Sequence, residues 1–339
     1  MKLLVTLVFI CLCHGAWSQK VGVIANTYSH FELGHKNGKI DFVVADTQLN
    51  QTKPILLFCQ GSQPVPLFVD LGMRGIVPLT LNNFDVDEMN RYFHVVVISM
   101  PYTPVKVVPL NLNRSFNYVL DTAINQSFDS NYVRSDNLDN YISRANKVLE
   151  YLQQQPWVSK LGTVVVGHSQ GARVAVGIST SNTIVSQLGL FGYNPMRRID
   201  QLIWQQRNRA KEGRITWQEA DSVQQNLYTF YKDVQNPDSL EKHPEYRSWK
   251  SFSKSSLESL ANLVIPVYIG YGSEDEIAQY CDQIPLSFIE KQKTNYVLKR
   301  YVGLDHDFFP VRANGRTDHA NGKWKNVMNN FISWTLGED

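Results

Sequence analysis

At 339 residues, with 43% hydrophobic and 19% charged positions, the chain has an ordinary globular composition with room for one large core or two smaller ones, which excludes disordered and fibrous classes. A formal charge of +2 offers no argument for nucleic acid or a membrane surface as a partner. No cluster of His and Cys stands at ligand spacing, so neither a metal nor an organic cofactor is expected.

Residues 1–18 combine Lys2, an apolar run over residues 3–13 and small residues at Ala16 and Ser18, the pattern of a cleaved secretory leader. That run falls well short of the ~20 residues a membrane span needs. A lipid anchor on Cys11 or Cys13 is disfavoured by the bulky Ile10 and Leu12 that precede them. The expectation is a secreted or periplasmic protein over residues 19–339, without stable membrane insertion. Of the four cysteines, Cys59 and Cys281 lie outside the leader; they either pair or act as two small buried hydrophobes. Sequons at Asn50, Asn113 and Asn125 matter only in a eukaryotic host.

After the leader, residues 28–34 and the alternating Ile40, Phe42 and Val44 read as a hairpin turning through Asn37 and Gly38. Residues 55–58 form a short apolar run, expected as a strand buried on both faces, ending in Cys59-Gln60-Gly61-Ser62. A mixed helical region is expected up to about Tyr92, and residues 93–100 then repeat the buried-strand pattern up to Pro101. The Asn- and Ser-rich stretch 101–137 exceeds an ordinary connection and is either a substrate-facing loop or a partly ordered excursion. Leu138, Ile142, Ala145, Leu149 and Leu152 share one helix face before Pro156.

Residues 162–176 run a β-branched stretch into Gly-His-Ser-Gln-Gly and leave in helix-compatible sequence, which sets Ser169 at a strand-to-helix corner. Gly167 and Gly171 lack a Cβ, so strand and helix can approach closely around it. Residues 188–191 read as another strand. A polar and aromatic helical stretch follows over about 196–262, expected as an inserted cap; its Trp204, Trp217, Tyr228, Phe230, Tyr231, Trp249 and Phe252 either contact substrate or pack the cap down. Arg197, Arg198, Arg207, Arg209, Lys211 and Arg214 outnumber Asp200 and Glu212 there, which fits an acidic substrate or a solvated helix face. Strands resume at 265–269 and 296–302, ending in a loop with Glu274, Asp275 and Glu276 and a loop with Asp305, His306 and Asp307. A closing helix buries Trp324, Val327, Met328, Phe331 and Ile332. Buried strands alternating with helices predict an α/β protein with a mostly parallel central sheet flanked by helices.

Functional groups collect at the carboxyl ends of strands in such sheets, and here they come in the order serine, acid, histidine. With GHSQG at 167–171, GSED at 272–275 and GLDH at 303–306, the chain resembles the α/β-hydrolase-fold serine hydrolases over nearly all of residues 21–336. The resemblance implies Ser169 as nucleophile, His306 as general base and acid, and Asp275 as the group orienting the imidazole, with Glu274 and Glu276 as rivals to Asp275. Of the rivals to His306, His168 adjoins the nucleophile but belongs to the strand end, and His94, His243 and His319 do not match a late strand end followed by a helix. It further implies an oxyanion hole from the backbone N–H groups of Gln170 and Ser62, although Gln60 stands where the family often has histidine. The function implied is cleavage of a small-molecule carboxylic ester through an acyl-enzyme. A peptidase or amidase of the same fold and a non-catalytic binding protein are the alternatives. His168 and Ala172 stand where prolyl-oligopeptidase-like enzymes usually carry an aromatic residue and a glycine, which disfavours the first alternative.

Overall fold

The computed structural model describes residues 18–120 and 127–338. The expected leader lies, all but its last residue, outside them, as does the sequon at Asn125. An antiparallel meander opens the chain: β1 (Ser18–Ile24), β2 (Tyr28–His35) and β3 (Gly38–Val44), with Gly38 at φ 91° in the β2–β3 turn. The hairpin matches the alternating pattern. β1 is additional; Val21 and Val23 stay half exposed on this edge strand, so burial left no periodic mark on its sequence.

β4 (Lys53–Cys59) enters the middle of the sheet. Where a mixed helical region was expected up to Tyr92, the chain instead forms β5 (Phe68–Asp70) and β6 (Ile76–Pro78), with only α1 (Val86–Asn90) helical. After β7 (His94–Ile98), the two-residue β8 (Lys106–Val107) returns to β5, giving a small sheet ordered β6-β5-β8. Strands this short span too few residues to show a period, and the pairing of β5 with β8 is non-local. The 101–137 stretch is therefore partly structured: besides β8 it contains α2 (Ser130–Ser135).

Next come α3 (Leu138–Leu152), β9 (Val158–His168), α4 (Gln170–Ser181) and β10 (Val185–Phe191). Residues 198–262 carry α5 (Arg198–Lys211), α6 (Trp217–Gln235), α7 (Pro237–Lys242), α8 (Tyr246–Phe252) and α9 (Leu257–Asn262). The chain then returns to β11 (Val267–Gly272), α10 (Ala278–Cys281), α11 (Ile284–Glu290), β12 (Tyr296–Tyr301) and α12 (Trp324–Leu336). Among the described residues the main sheet has nine strands in the order β1-β2-β3-β7-β4-β9-β10-β11-β12, parallel from β7 onward.

Side chains alternate across a strand, so each central strand feeds two cores. Ile55, Leu57, Val165, Leu188 and Ile269 point to the face covered by α3, α4, α9 and α11. Leu56, Phe58, Val164, Val166 and Tyr268 point to the other, covered by α12 and α1. That double burial is why these strands read as unbroken apolar runs. α3 buries Ala145, Leu149 and Leu152 as expected, but Leu138 and Ile142 are only half-buried and Asn140, Tyr141, Arg144 and Val148 are buried in addition. Arg144 is fully buried within it and donates to the carbonyls of Lys39 and Ser99, both at 3.0 Å, tying β3 to the end of β7.

Both cysteines are free thiols. Burial pushes the Cys59 thiol up to about 12, and buried Cys281 donates to the Tyr193 carbonyl at 3.2 Å. Among the described residues no helix is long and apolar enough to cross a membrane, and no group of His, Cys, Asp and Glu could hold a metal ion.

Gly189, mid-strand in β10, leaves the space that the Phe331 ring of α12 fills: a Cβ there would lie 2.6 Å from the ring edge. Gly189→Ala is therefore expected to cost about 1–3 kcal/mol and Phe331→Ala about 3–5 kcal/mol. The double variant should lose at least ~1 kcal/mol less than the sum, because removing the ring removes the clash. Urea denaturation of the four proteins measures this; strict additivity would show that the two positions do not share one packing volume.

Candidate active site

β9 ends at His168 and α4 begins at Gln170, leaving Ser169 alone between them at φ 56°, ψ −122°. A side-chain-bearing residue adopts such angles at a cost of about 1–3 kcal/mol, so surrounding contacts must impose them. Two contacts do so directly: the Ser169 N–H donates to the Phe191 carbonyl at 2.9 Å, and its own carbonyl accepts from Ala172 at 3.1 Å. The glycines make the crossing sterically possible. A Cβ on Gly167 would lie 2.2 Å from the Gly171 carbonyl oxygen, and one on Gly171 would lie 2.1 Å from that of Cys59. Helix α4 thus rests directly on the end of β4, and the loop through Gly61 and Ser62 passes close to Ser169.

The expected acid and histidine meet beyond the ends of β11 and β12. His306 Nδ1 lies 2.7 Å from Asp275 Oδ2, while Asp275 Oδ1 accepts the Ile277 N–H at 3.1 Å. The Asp275 side chain is 2% exposed. Its rivals are elsewhere: Glu274 and Glu276 are exposed, the first beside Ser273 and the second beside Gln205. Ser169 and His306 line two cavities together, and Ser62 lines both with them. Gln170 stands at the first position of α4, where a helix N–H has no intrahelical acceptor. Neither its N–H nor that of Ser62 has an acceptor among the described residues. Gln60, the departure from the family pattern, braces this loop by accepting from Thr80 Oγ1 at 2.7 Å and donating to the Ile98 carbonyl at 3.5 Å.

No protein-family model matches the sequence, and no curated protein matches it. Among solved structures, the thioesterase domain from the curacin biosynthetic pathway superposes with a TM-score of 0.50 at 12% identity, covering 92% of this chain and 100% of that one. The chain has the α/β-hydrolase fold. Other superpositions include a carboxylesterase of the thaumarchaeon Nitrososphaera gargenis, TM-score 0.48, 10% identity, covering 90% of this chain and 96% of that one. A puromycin-hydrolyzing peptidase of Mycobacterium tuberculosis gives a TM-score of 0.48 at 14% identity, covering 84% of this chain and 36% of that one.

Within this α/β-hydrolase fold two imidazoles sit side by side, their ring centroids 4.9 Å apart. His168 Nε2 donates to the His306 backbone carbonyl at 3.0 Å, and its ring packs edge-on against Trp324. Burial and the neighbouring His306 charge push His168 well below the usual histidine value, toward the neutral form in which it acts as a strut under the His306 loop. His306 is shifted the other way. Burial lowers it, but the Asp275 hydrogen bond and charge, with Asp307 and Asp305 behind, leave it above the usual histidine value. Asp305 also braces the loop, accepting from Phe309 N–H at 2.9 Å and Thr317 Oγ1 at 3.0 Å. Gly192, at φ 53°, makes room for the imidazole: a Cβ there would lie 2.9 Å from His306 Cε1. Sequence reasoning assigned neither His168 nor Gly192 a part; their role depends on a contact 138 positions away in the chain for the histidine, which no local motif reports.

The remaining candidates separate. His94 is fully buried between the Gln51 and Trp157 carbonyls, His243 stacks on Tyr246, and His319 packs on Phe309. Of the six basic residues on and around α5, Arg197 pairs with Asp200 at 3.0 Å, Arg214 with Glu212 at 2.9 Å, and Arg207 stacks over Trp217. Arg198 alone among the six lines a cavity with Ser169. Trp249 and Phe252 line it too, whereas Phe230 packs on Tyr246 and Trp249.

These environments predict that His306 titrates above 6.5 and His168 far below it. Nitrogen-15 NMR of the two imidazoles checks this. Asp275→Asn should move the His306 midpoint down, since burial then opposes protonation with one carboxylate fewer. An unchanged midpoint would show that Asp275 is not its dominant partner.

Proposed function

We propose that this protein is a serine hydrolase that cleaves a small-molecule carboxylic ester through an acyl-enzyme, acting outside the cytoplasm as its leader-like first residues suggest. The observation that carries this reading is the strained Ser169 lining the same two cavities as His306, whose ring is held from behind by the buried Asp275. Strain at a non-glycine residue persists where the surroundings hold it for use.

In this reading Ser169 Oγ attacks the ester carbonyl carbon while His306 Nε2 takes the hydroxyl proton. Asp275 holds the Nδ1–H tautomer and stabilises the imidazolium. The negative charge moves to the carbonyl oxygen, which the N–H groups of Gln170 and Ser62 receive; the α4 N-terminus adds its positive dipole end. As the carbon–oxygen bond to the alcohol breaks, His306 returns the proton to the leaving oxygen. Water then repeats the sequence on the acyl-enzyme, releasing the acid and restoring Ser169. A raised His306 pKa suits this cycle, because the imidazolium must survive long enough to protonate the alcohol. The ester reading, rather than the amide one, rests on His168 and Ala172, which differ from the aromatic and glycine usual in prolyl-oligopeptidase-like peptidases.

A fluorophosphonate probe should label the protein and leave Ser169→Ala unlabelled. Ser169→Ala should lower kcat/KM on short acyl esters by about 10³–10⁶, and Asp275→Asn by about 10³–10⁴. Absence of labelling of the unaltered protein would overturn the enzyme reading. Labelling with faster turnover of peptide amides than of matched esters would replace the esterase by a peptidase.

A further inference from the structure

Beside Ser169, under α5 and α8, lies a cavity of about 250 Å³. Two guanidinium groups, Arg173 and Arg198, line it, and among the described residues no carboxylate does. Arg173 sits one helical turn beyond Ser169 on α4, on the same face as the elbow. It is 94% buried by its 6% residual exposure, and only one terminal nitrogen is used: Nη1 donates to the Lys254 carbonyl at 2.6 Å. Its Nη2 is buried with no hydrogen-bond partner among the described residues. A buried charged donor left without an acceptor costs about 1–3 kcal/mol or more. An acceptor carried by a ligand at this end of the cavity would satisfy it.

Arg198 has the complementary arrangement. Its guanidinium lies 4.0 Å above the Trp249 ring, and it makes no ion pair or hydrogen bond among the described residues. Stacking satisfies the face of the fork and leaves its in-plane N–H groups free. The lining amides of Asn194 and Gln201 add neutral donors and acceptors around it. The charge behind the wall limits what the cavity attracts. Asp136 and Asp200 both act on these guanidiniums from outside it; Asp200 is itself held by Arg197, and Asp136 accepts from Tyr141 at 2.8 Å. The excess of positive charge is thus modest, which suits a monoanion better than a dianionic phosphate, and the planar forks match a carboxylate.

We infer that Arg173 and Arg198 form a carboxylate subsite next to Ser169, so that the substrate is an ester carrying a free carboxylate on one of its two limbs. The identity of the reaction rests on the serine-hydrolase reading; the subsite itself does not, and binding to a protein that cannot turn over tests it separately. Two isosteric pairs serve as probes. Monobenzyl glutarate and benzyl glutaramate differ on the acyl limb, and 4-carboxybenzyl butyrate and 4-carbamoylbenzyl butyrate on the alcohol limb. Titration calorimetry on Ser169→Ala should show the carboxylate member of at least one pair binding about tenfold tighter or more, the range of one charge-assisted hydrogen bond or better. In the protein with Ser169 intact, kcat/KM should favour the same member. The ratio should collapse in Arg198→Met and be partly retained in Arg198→Lys, with Arg173→Lys as the milder change at the buried position and thermal melting as the check on folding. Equal affinity within both pairs on Ser169→Ala overturns the subsite, whatever the turnover. A preference that survives both Arg198→Met and Arg173→Lys also overturns it. A binding preference in a protein that no fluorophosphonate labels supports the subsite and removes the hydrolase reading instead.

Discussion

Three backbone segments packed without intervening side chains organise this molecule. The end of β9 and the first turn of α4 touch through Gly167 and Gly171, and Gly171 in turn rests on the Cys59 and Gln60 carbonyls at the end of β4. Any Cβ at either glycine would enter a backbone atom's van der Waals radius, so the chain has one way to turn from strand to helix there. That turn leaves a single residue to absorb the change of direction, and Ser169 takes φ 56° as a result. The energy stored is paid for by burial: Val165, Val166, Ala172, Ala175 and Val176 around the corner are essentially inaccessible to water. Each valine contributes on the order of 1.5–3 kcal/mol and each alanine less, enough in sum to hold one strained residue.

The position of the histidine depends on weaker and more numerous constraints. Gly272 repeats the close approach seen at the elbow, since a Cβ there would lie 2.1 Å from the Leu304 carbonyl, and this draws the His306 loop against the end of β11. Asp305 then fixes the loop from within through Phe309 and Thr317, and His168 fixes it from below through the His306 carbonyl. Asp275, placed by the turn after β11, meets the imidazole once these are satisfied. Parallel strands make this convergence possible, because β4, β9, β11 and β12 all deliver their loops to one edge of the sheet.

That division explains what the sequence revealed and what it concealed. Doubly buried strands announce themselves as apolar runs, so β4, β7, β9, β10 and β11 were legible, as were the elbow glycines, whose spacing follows from local sterics; β12 was also expected as a strand, although it is a half-exposed edge strand. Asp275, His306, Ser62 and Gln170 were reached through the resemblance, and the structure sets the first two in hydrogen-bond contact. β5, β6 and β8 were hidden because two- or three-residue strands carry no period; the region of β5 and β6 was wrongly expected to be helical, and β8 lies in the stretch expected as a loop or partly ordered excursion. Arg144 breaks the apolar stripe of α3 for a reason outside the helix, two carbonyls on neighbouring strands. His168 and Gly192 escaped because their partner is His306, far along the chain; Arg198 was weighed only as one of six basic residues that fit an acidic substrate or a solvated face, and Arg173, the one basic residue of an otherwise apolar and small-residue helix, gave no signal of its own. In each case the hidden feature is defined by a long-range contact, and local sequence does not encode who the partner is.

The two adjacent imidazoles show how environment, rather than residue type, separates roles. Both rings are at least partly desolvated, which by itself disfavours the charged form in each. Only His306 receives a buried carboxylate in hydrogen-bond contact, and the balance for that ring reverses. His168 meets a carbonyl and the edge of Trp324 instead, neither of which repays the cost of a charge so close to a second histidine. A charge on His306 also presses His168 further toward the neutral form, so the two rings are shifted in opposite directions. Exchanging the two sites' neighbours, rather than the histidines themselves, would exchange their chemistry.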